Sequence, residues 1–250
     1  MKQALIDADI LLYRLAFGQK DKSPEDAVAA LDETIYRILE RVGADYNLFY
    51  LTDTGSNFRL QVDSEYKAGR PPKPDHYGVL KDHLVDCWCA EVCVGIEADD
   101  ALSLENINTD GHNSVIVSID KDLLQVPGRH YNFVKDEFIE VSEYLGMYNF
   151  YTQVLVGDSV DNVKGCKGVG KKKAADLLDK CATEDEMYGG VRNEYFKAAW
   201  KLAEKELGKD KPSPYDVQVK ADLDMYTTAR LVWLLSKDRT NLILERHTSK

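Results

Sequence analysis

Hydrophobic and polar positions along this chain alternate between a strand period and a helical one. Residues 3–6 are a short apolar run that stops at Asp7, the pattern of a buried strand. Ser23-Pro24-Glu25-Asp26 reads as a helix start, with serine as the cap, proline at the first helical position and acids in the first turn. Ala27, Leu31, Ile35, Ile38, Leu39 and Val42 then recur at the helical period until Gly43 closes the segment. Residues 46–51 predict a second strand, 77–89 a helix with Leu80, Leu84 and Trp88 on one side, and 91–94 a third strand. A helix over 98–105, a fourth strand over 114–119 and a candidate fifth over 131–134 follow. From about residue 137 the pattern turns helical and stays so. Strands alternating with helices predict an α/β fold with a mostly parallel sheet flanked by helices.

Strands that run into an aspartate recur: Asp7, Asp53 and Asp120 each follow an apolar run. Ligands in open α/β sheets bind at the carboxyl ends of the strands, so these three predict a shared rim. The remaining acids come in close groups, Glu97-Ala98-Asp99-Asp100, Asp120-Lys121-Asp122 and Asp158-Ser159-Val160-Asp161. Any one pair alone reads as a helix cap or a solvated turn. Together they are costly to gather unless cations sit among them, and oxygen-only ligands point to Mg²⁺ or Mn²⁺.

Charge changes the picture only once that rim is in view. A formal net charge of −11 over 250 residues argues against a general nucleic-acid binder. Carboxylates that hold divalent cations are counted in that total yet neutralised in the working protein. Against this background the stretch from Lys164 to Lys180 carries six lysines and two aspartates. It contains Gly165-Cys166-Lys167-Gly168-Val169-Gly170-Lys171-Lys172-Lys173, a glycine-rich turn running into a helix. Such a turn brings backbone N–H groups and a helix N-terminus up to a phosphate, and predicts a nucleic-acid backbone clamp. Tyr66-Lys67-Ala68-Gly69-Arg70 places two cations three apart, which alone reads as a surface turn before Pro71-Pro72.

Other classes fall away. No stretch approaches the roughly 20 apolar residues of a membrane helix. The start of the chain reaches Asp7 before a secretory apolar run forms. The five cysteines, Cys87, Cys89, Cys93, Cys166 and Cys181, have neither disulfide nor zinc spacing. The expectation is a cytoplasmic protein with reduced thiols and no membrane partner.

In their order along the chain these motifs resemble the 5′-nuclease family, which includes flap endonucleases, the 5′-nuclease domain of bacterial DNA polymerase I and, most similar in size, bacteriophage 5′-to-3′ exonucleases. The resemblance runs from Ile6-Asp7 to about Leu178, through Asp53, Phe58-Arg59, 66–70, 97–100, Ser118-Ile119-Asp120-Lys121-Asp122 and Gly157-Asp158-Ser159-Val160-Asp161-Asn162. It implies a single 5′-nuclease domain over 1–250: a PIN-like α/β metal-binding core over 1–156, the acidic pair and a helix–hairpin–helix clamp over 157–181, and a helical region over 182–250. It further implies two divalent metals, the first held by Asp7, Asp53, Glu97, Asp99 and Asp120, the second by Asp122, Asp158 and Asp161, with Asp100 close to both.

The resemblance also implies that Lys67 and Arg70 contact the scissile phosphate and that Tyr13 stacks on a terminal base, although a core-facing ring is an open alternative for Tyr13. Arg59 joins the DNA-binding set. So do Lys164, Gly165, Lys167, Gly168, Gly170, Lys171, Lys172 and Lys173 of the clamp, where family members often hold a K⁺ ion. The implied partners are DNA at duplex ends, nicks, gaps and 5′ flaps, with RNA:DNA hybrids as a second class. The implied state is a monomer, in the cytoplasm of a bacterial host if phage-encoded. Only 27 positions separate Arg70 from Glu97. This is short for the helical arch of larger members. Two rivals remain at this stage. One is a haloacid-dehalogenase-like phosphatase using Asp7-Ala8-Asp9; the other is an inert DNA-structure-binding protein using only the glycine turn.

Overall fold

The computed structural model describes residues 1–109, 113–208 and 211–235. The end of the expected helical tail, 236–250, lies outside the described residues. In chain order the elements are β1 (Gln3–Asp7), α1 (Ala8–Gly18), α2 (Pro24–Val42), β2 (Tyr46–Asn57), α3 (Phe58–Val62), α4 (Tyr77–Trp88), β3 (Glu91–Gly95), α5 (Ala98–Asn108) and β4 (Ser114–Val117). There follow β5 (Gly128–Asn132), β6 (Glu137–Val141), α6 (Glu143–Val156), the short β7 (Gly157–Asp158) and β8 (Val163–Lys164), α7 (Lys171–Leu178), α8 (Glu184–Leu207) and α9 (Pro214–Val232). The chain divides into two compact units, Met1–Phe58 with Pro71–Ser142 and Leu234–Lys250, and Arg59–Arg70 with Glu143–Trp233. Helix α6, expected at the end of the α/β core, belongs to the second.

The first unit is built on a six-stranded sheet of order β3-β2-β1-β4-β5-β6. The first five strands in that order run parallel and β6 closes one edge antiparallel to β5. All five residues of β1 are buried, as a central parallel strand requires. Its side chains alternate between two cores. Ala4 and Ile6 join Leu11, Leu12, Leu31, Ile35, Leu80 and Leu84 from α1, α2 and α4. Leu5 faces the opposite way, with Ala98 and Leu102 of α5. Helix α2 starts and stops as its sequence dictates: Ser23 caps the N–H of Asp26, and Gly43 ends it in the left-handed region at φ +64°.

Strand β6 corrects the reading of everything beyond residue 137 as helical. Glu137–Val141 pairs with β5 through the turn at Asp136, a non-glycine residue at φ +54°. Residues 157–164 form a tight two-stranded hairpin between α6 and the glycine turn.

The second unit is helical. Tyr195 of α8 donates its hydroxyl to the Val154 carbonyl at the end of α6, and Thr228 of α9 donates to the Lys164 carbonyl. The two long helices thereby satisfy backbone acceptors flanking the β7–β8 hairpin.

Candidate metal centre and phosphate-binding elements

Parallel order places the carboxyl ends of β3, β2, β1 and β4 at one edge of the first unit's sheet. Asp7 is the last residue of β1 and the cap of α1, accepting the Ile10 N–H at 3.1 Å. Ser118, just past β4, donates its hydroxyl to the other carboxylate oxygen at 2.7 Å. Burial pushes the Asp7 carboxyl up to about 7; the Ser118 and Ile10 hydrogen bonds oppose the shift, while the charges of Asp9 and Asp120 add to it. The same Ser118 oxygen accepts the Asp120 N–H at 2.9 Å, and Asp120 accepts that of Asp122 at 2.9 Å. Asp53 lies in β2 and accepts the Gly55 N–H at 3.2 Å. Glu97 and Asp100 are buried at the start of α5, with Asp99 between them in its first turn.

The acids share an edge, while among the described residues no three His, Cys, Asp or Glu side chains stand together at metal-holding range. Like charges separate, and hydrogen bonds to nearby N–H and hydroxyl groups hold Asp7, Asp53, Asp100 and Asp120 in place. The donor chemistry nevertheless fits a hard divalent cation. The candidate donors on this edge are carboxylate oxygens, and Asp7 sits buried with the charges of Asp9 and Asp120 acting on it, a concentration of negative charge that a cation would offset.

Three further groups position this edge. Ser118 links Asp7 to the 120–122 turn. The Thr52 hydroxyl accepts the Ala98 N–H at 2.9 Å and so joins β2 to the start of α5. Asp9 accepts the Thr52 N–H and the Tyr77 hydroxyl, both at 2.9 Å. With each oxygen so engaged, Asp9 is poorly placed for the acid–base role a phosphoaspartate mechanism asks of it. Tyr13 lies tilted against Tyr77, ring centroids 4.9 Å apart at 54°, and packs against the core. This favours the core-facing alternative over base stacking.

In the second unit the 59–70 segment and the 157–164 hairpin form one assembly. Lys67, at φ +57°, donates its N–H to the Asp161 carbonyl at 2.9 Å, and its ammonium lies 3.8 Å from the Asp161 carboxylate. The Arg70 guanidinium pairs with the same carboxylate. Asn162 donates to the Glu65 carbonyl at 2.9 Å, and Asp158 accepts the Val160 N–H at 2.8 Å. The expected phosphate-contacting pair and one of the expected metal ligands are thus held against each other.

Arg59 is corrected most sharply. It is 1% exposed, and it donates to the Leu231 carbonyl at 2.9 Å and to that of Trp233. A buried guanidinium satisfied by the carbonyls at the end of α9 is a structural clamp, so Arg59 leaves the DNA-binding set.

The glycines divide by role. A Cβ on Gly165 would lie 2.4 Å from the Gly157 nitrogen, and one on Gly157, at φ +73°, would lie 2.4 Å from the Gly165 nitrogen. Backbone passes directly over backbone, so Gly165 is required for closing the hairpin. Gly168 has φ +80° with open space around it, and Gly170 is the cap residue of α7. Lys164, Lys167, Lys171 and Lys172 are exposed. Lys173 is paired, its ammonium 2.6 Å from Glu194 of α8. Burial raises the Glu194 carboxyl, but Lys173 and Lys197 outweigh it and hold the group below the usual carboxylate range.

Residues 2–153 match the family model described as the 5′-3′ exonuclease, N-terminal resolvase-like domain. The chain belongs to the 5′-3′ exonuclease family. It is 28% identical over 237 residues to DNA polymerase I of Caldicellulosiruptor bescii, covering 84% of this chain and 28% of that protein. It is 26% identical over 209 residues to the 5′-3′ exonuclease of Buchnera aphidicola, covering 75% of this chain and 73% of that one. The fold is that of a bacteriophage T5 flap endonuclease variant solved as a pseudo-enzyme–product complex with DNA and metal ions. The TM-score is 0.60 at 17% identity, over 92% of this chain and all of that one.

Proposed function

We propose that this chain is a metal-dependent 5′-to-3′ nuclease that hydrolyses DNA phosphodiesters and leaves 5′-phosphate products. The carrying observation is the sheet edge. Asp7 at the end of β1, Asp53 in the last part of β2, the Glu97–Asp99–Asp100 cluster after β3 and the Asp120–Asp122 turn after β4 belong to four neighbouring parallel strands in a family of exonucleases. Asp158 and Asp161 complete the ligand set by their place in the family's motif order. Two bound divalent cations, Mg²⁺ or Mn²⁺, would supply an activated water and offset charge on the leaving 3′ oxygen.

The chain's own residues do the rest. Ser118 orients Asp7 and, through its second hydrogen bond, the 120–122 turn. Lys67 and Arg70 meet the charge that grows on the non-bridging oxygens. Gly168, Gly170, Lys164, Lys167, Lys171 and Lys172 hold the duplex backbone, and a K⁺ ion would bind at this turn. The substrates are duplex ends, nicks, gaps and 5′ flaps, RNA:DNA hybrids are a second class, and the working form is a monomer.

Product mapping on end-labelled duplex, nicked, gapped and flap substrates tests this reading. Cleavage is expected with Mg²⁺ or Mn²⁺, with 5′-phosphate ends. Asp120→Asn and Asp158→Asn are expected to lose most cleavage while retaining DNA binding. Full activity in excess EDTA would end the two-metal reading.

A further inference from the structure

Lys67 and Arg70 lie in the second unit, whereas Lys73, Tyr77, Asp9 and Asp53 all lie in the first, with the acidic edge. Lys73 stands between Pro72 and Pro74, and the proline after it confines its backbone to extended conformations. The Tyr77 N–H donates to the Pro74 carbonyl at 2.9 Å, which turns the segment into α4. The Lys73 ammonium lies over the Tyr77 ring, 4.0 Å from its centroid. That ring is itself fixed: Tyr77 is buried, its hydroxyl donates to Asp9 at 2.9 Å, and Tyr13 packs against it. Asp9 in turn accepts the N–H of Thr52, the residue before Asp53. A lysine on an exposed segment ordinarily sweeps a wide volume; the ring face restricts this one to the neighbourhood of the β1 and β2 ends. Burial lowers its ammonium from the ordinary value; the charges of Asp9 and Asp53 oppose the shift and that of Lys81 adds to it. Among the described residues no carboxylate forms an ion pair with it. An ammonium carries three N–H donors, and Lys73 is exposed, so the side away from the ring is open to an anion.

We propose that Lys73 is a substrate-binding residue, whose ammonium receives a backbone phosphate of the strand being cut, close to the scissile linkage. The carboxylates of this edge repel the polyanion the edge has to admit, and a fixed ammonium beside them lowers that cost at a flanking phosphate. The inference rests on the nuclease reading above. It adds a basic residue of the first unit that acts in binding, where Lys67 and Arg70 act on the rate.

The test is DNA binding by the full chain in Ca²⁺ across a salt series, with single-turnover cleavage in Mg²⁺ at saturating enzyme. Lys73→Met keeps the length of the side chain without its charge, and Lys73→Arg keeps a cation. Duplexes with a single methylphosphonate, which removes one phosphate charge, are stepped through the linkages on either side of the cut. Lys73→Met is expected to raise the Kd about tenfold and to flatten the slope of log affinity against log salt by about 0.9. Its single-turnover rate is expected to stay within about twofold of wild type, and Lys73→Arg to keep the wild-type slope. One methylphosphonate is expected to weaken the wild type about tenfold and Lys73→Met far less, which identifies the phosphate. An unchanged Kd and slope in Lys73→Met overturns the proposal, as does equal loss in Lys73→Arg. The same methylphosphonate profile in both proteins overturns it too, because a lysine with a merely structural role would give that result. If the unaltered chain neither binds nor cuts the duplex, it is the nuclease reading that fails.

Discussion

Lys67 and Asp161 are joined twice, by a backbone hydrogen bond of 2.9 Å and by an ion pair of 3.8 Å, and Arg70 closes on the same carboxylate. The double link fixes Lys67 in the left-handed region, where its side chain and that of Arg70 converge on one acid. Two cations sharing one partner are not independent. Lys67→Ala and Arg70→Ala are each expected to slow single-turnover cleavage by about 10²-fold, the usual cost of losing one donor to transition-state charge, with little change in DNA affinity. The double variant is expected to cost less than the two single effects combined. A tenfold weaker Kd with an unchanged single-turnover rate would make both residues plain backbone contacts.

Arg59 is a stability residue. Replacing it with alanine removes the donors from two carbonyls at the end of α9 and empties a buried volume. The expected loss is about 3 kcal/mol, or roughly 6–12 °C in Tm for a domain of this size. Thermal unfolding measures this directly, and DNA affinity of the folded Arg59→Ala protein is expected to match that of the wild type. A stable variant with weak DNA binding would restore Arg59 to the interface.

The three consecutive lysines of α7 are expected to differ. All three are exposed, and Lys173 is paired with Glu194. Each phosphate deprived of its protein cation lowers the slope of log affinity against log salt by about 0.9. Lys171→Ala and Lys172→Ala are therefore expected to flatten the slope, and Lys173→Ala to change it much less. Glu194→Gln releases Lys173 and is expected to steepen the slope. Equal effects from all three lysines would show that the Glu194 pair does not withhold Lys173.

The parts of the fold legible in the sequence are those coded locally. Ser23, Pro24 and Gly43 mark both ends of α2 without reference to any partner, and the apolar run ending at Asp7 marks β1. Strand β6 is not legible, because Glu137–Val141 becomes a strand by pairing with β5, and no local signal separates that run from a helix start. The site divides the same way. The acids of the sheet edge are legible because their spacing carries chemistry. The fates of Arg59 and Lys173 depend on carbonyls 172 and 174 positions away and on a carboxylate of α8. A charged residue looks alike in sequence whether it meets solvent, a phosphate or a buried partner.

His130 gives the first unit an acid-side stability limit. Burial holds its imidazole below the ordinary value, against the opposing effect of its 2.8 Å hydrogen bond to the Val126 carbonyl. The unfolded chain therefore takes up this proton first. The contribution of His130 to stability is complete above about pH 6.5 and declines as pH falls below it, by up to about 1.4 kcal/mol per pH unit. The raised carboxyl of Asp7 adds a slope of opposite sign over the same range, so the His130 contribution is expected as the difference between wild type and His130→Gln in denaturant unfolding between pH 8 and pH 5. An unchanged slope in that variant would assign the acid sensitivity to other groups.

The connection from Arg70 to Glu97 bears on how a strand reaches the acidic edge. A closed arch needs a segment that leaves the core and bridges the site. Pro71, Pro72 and Pro74 stiffen the first residues of this connection. Helix α4 follows, with Tyr77, Leu80 and Leu84 buried in the core shared with α1 and α2. Cys89 closes it in the left-handed region, and β3 begins at Glu91. One face of α4 is thereby committed to the core, which ties the helix down and counts against its bridging the acidic edge. Entry is therefore expected from the side, with exonucleolytic cleavage at duplex ends, nicks and gaps predominating over threading of long flaps. A 5′-biotinylated flap bound to streptavidin before enzyme addition is expected to be cut at close to the unblocked rate. If the block abolishes cleavage while pre-bound enzyme still cuts, the strand is threaded through a closed opening and side entry is wrong.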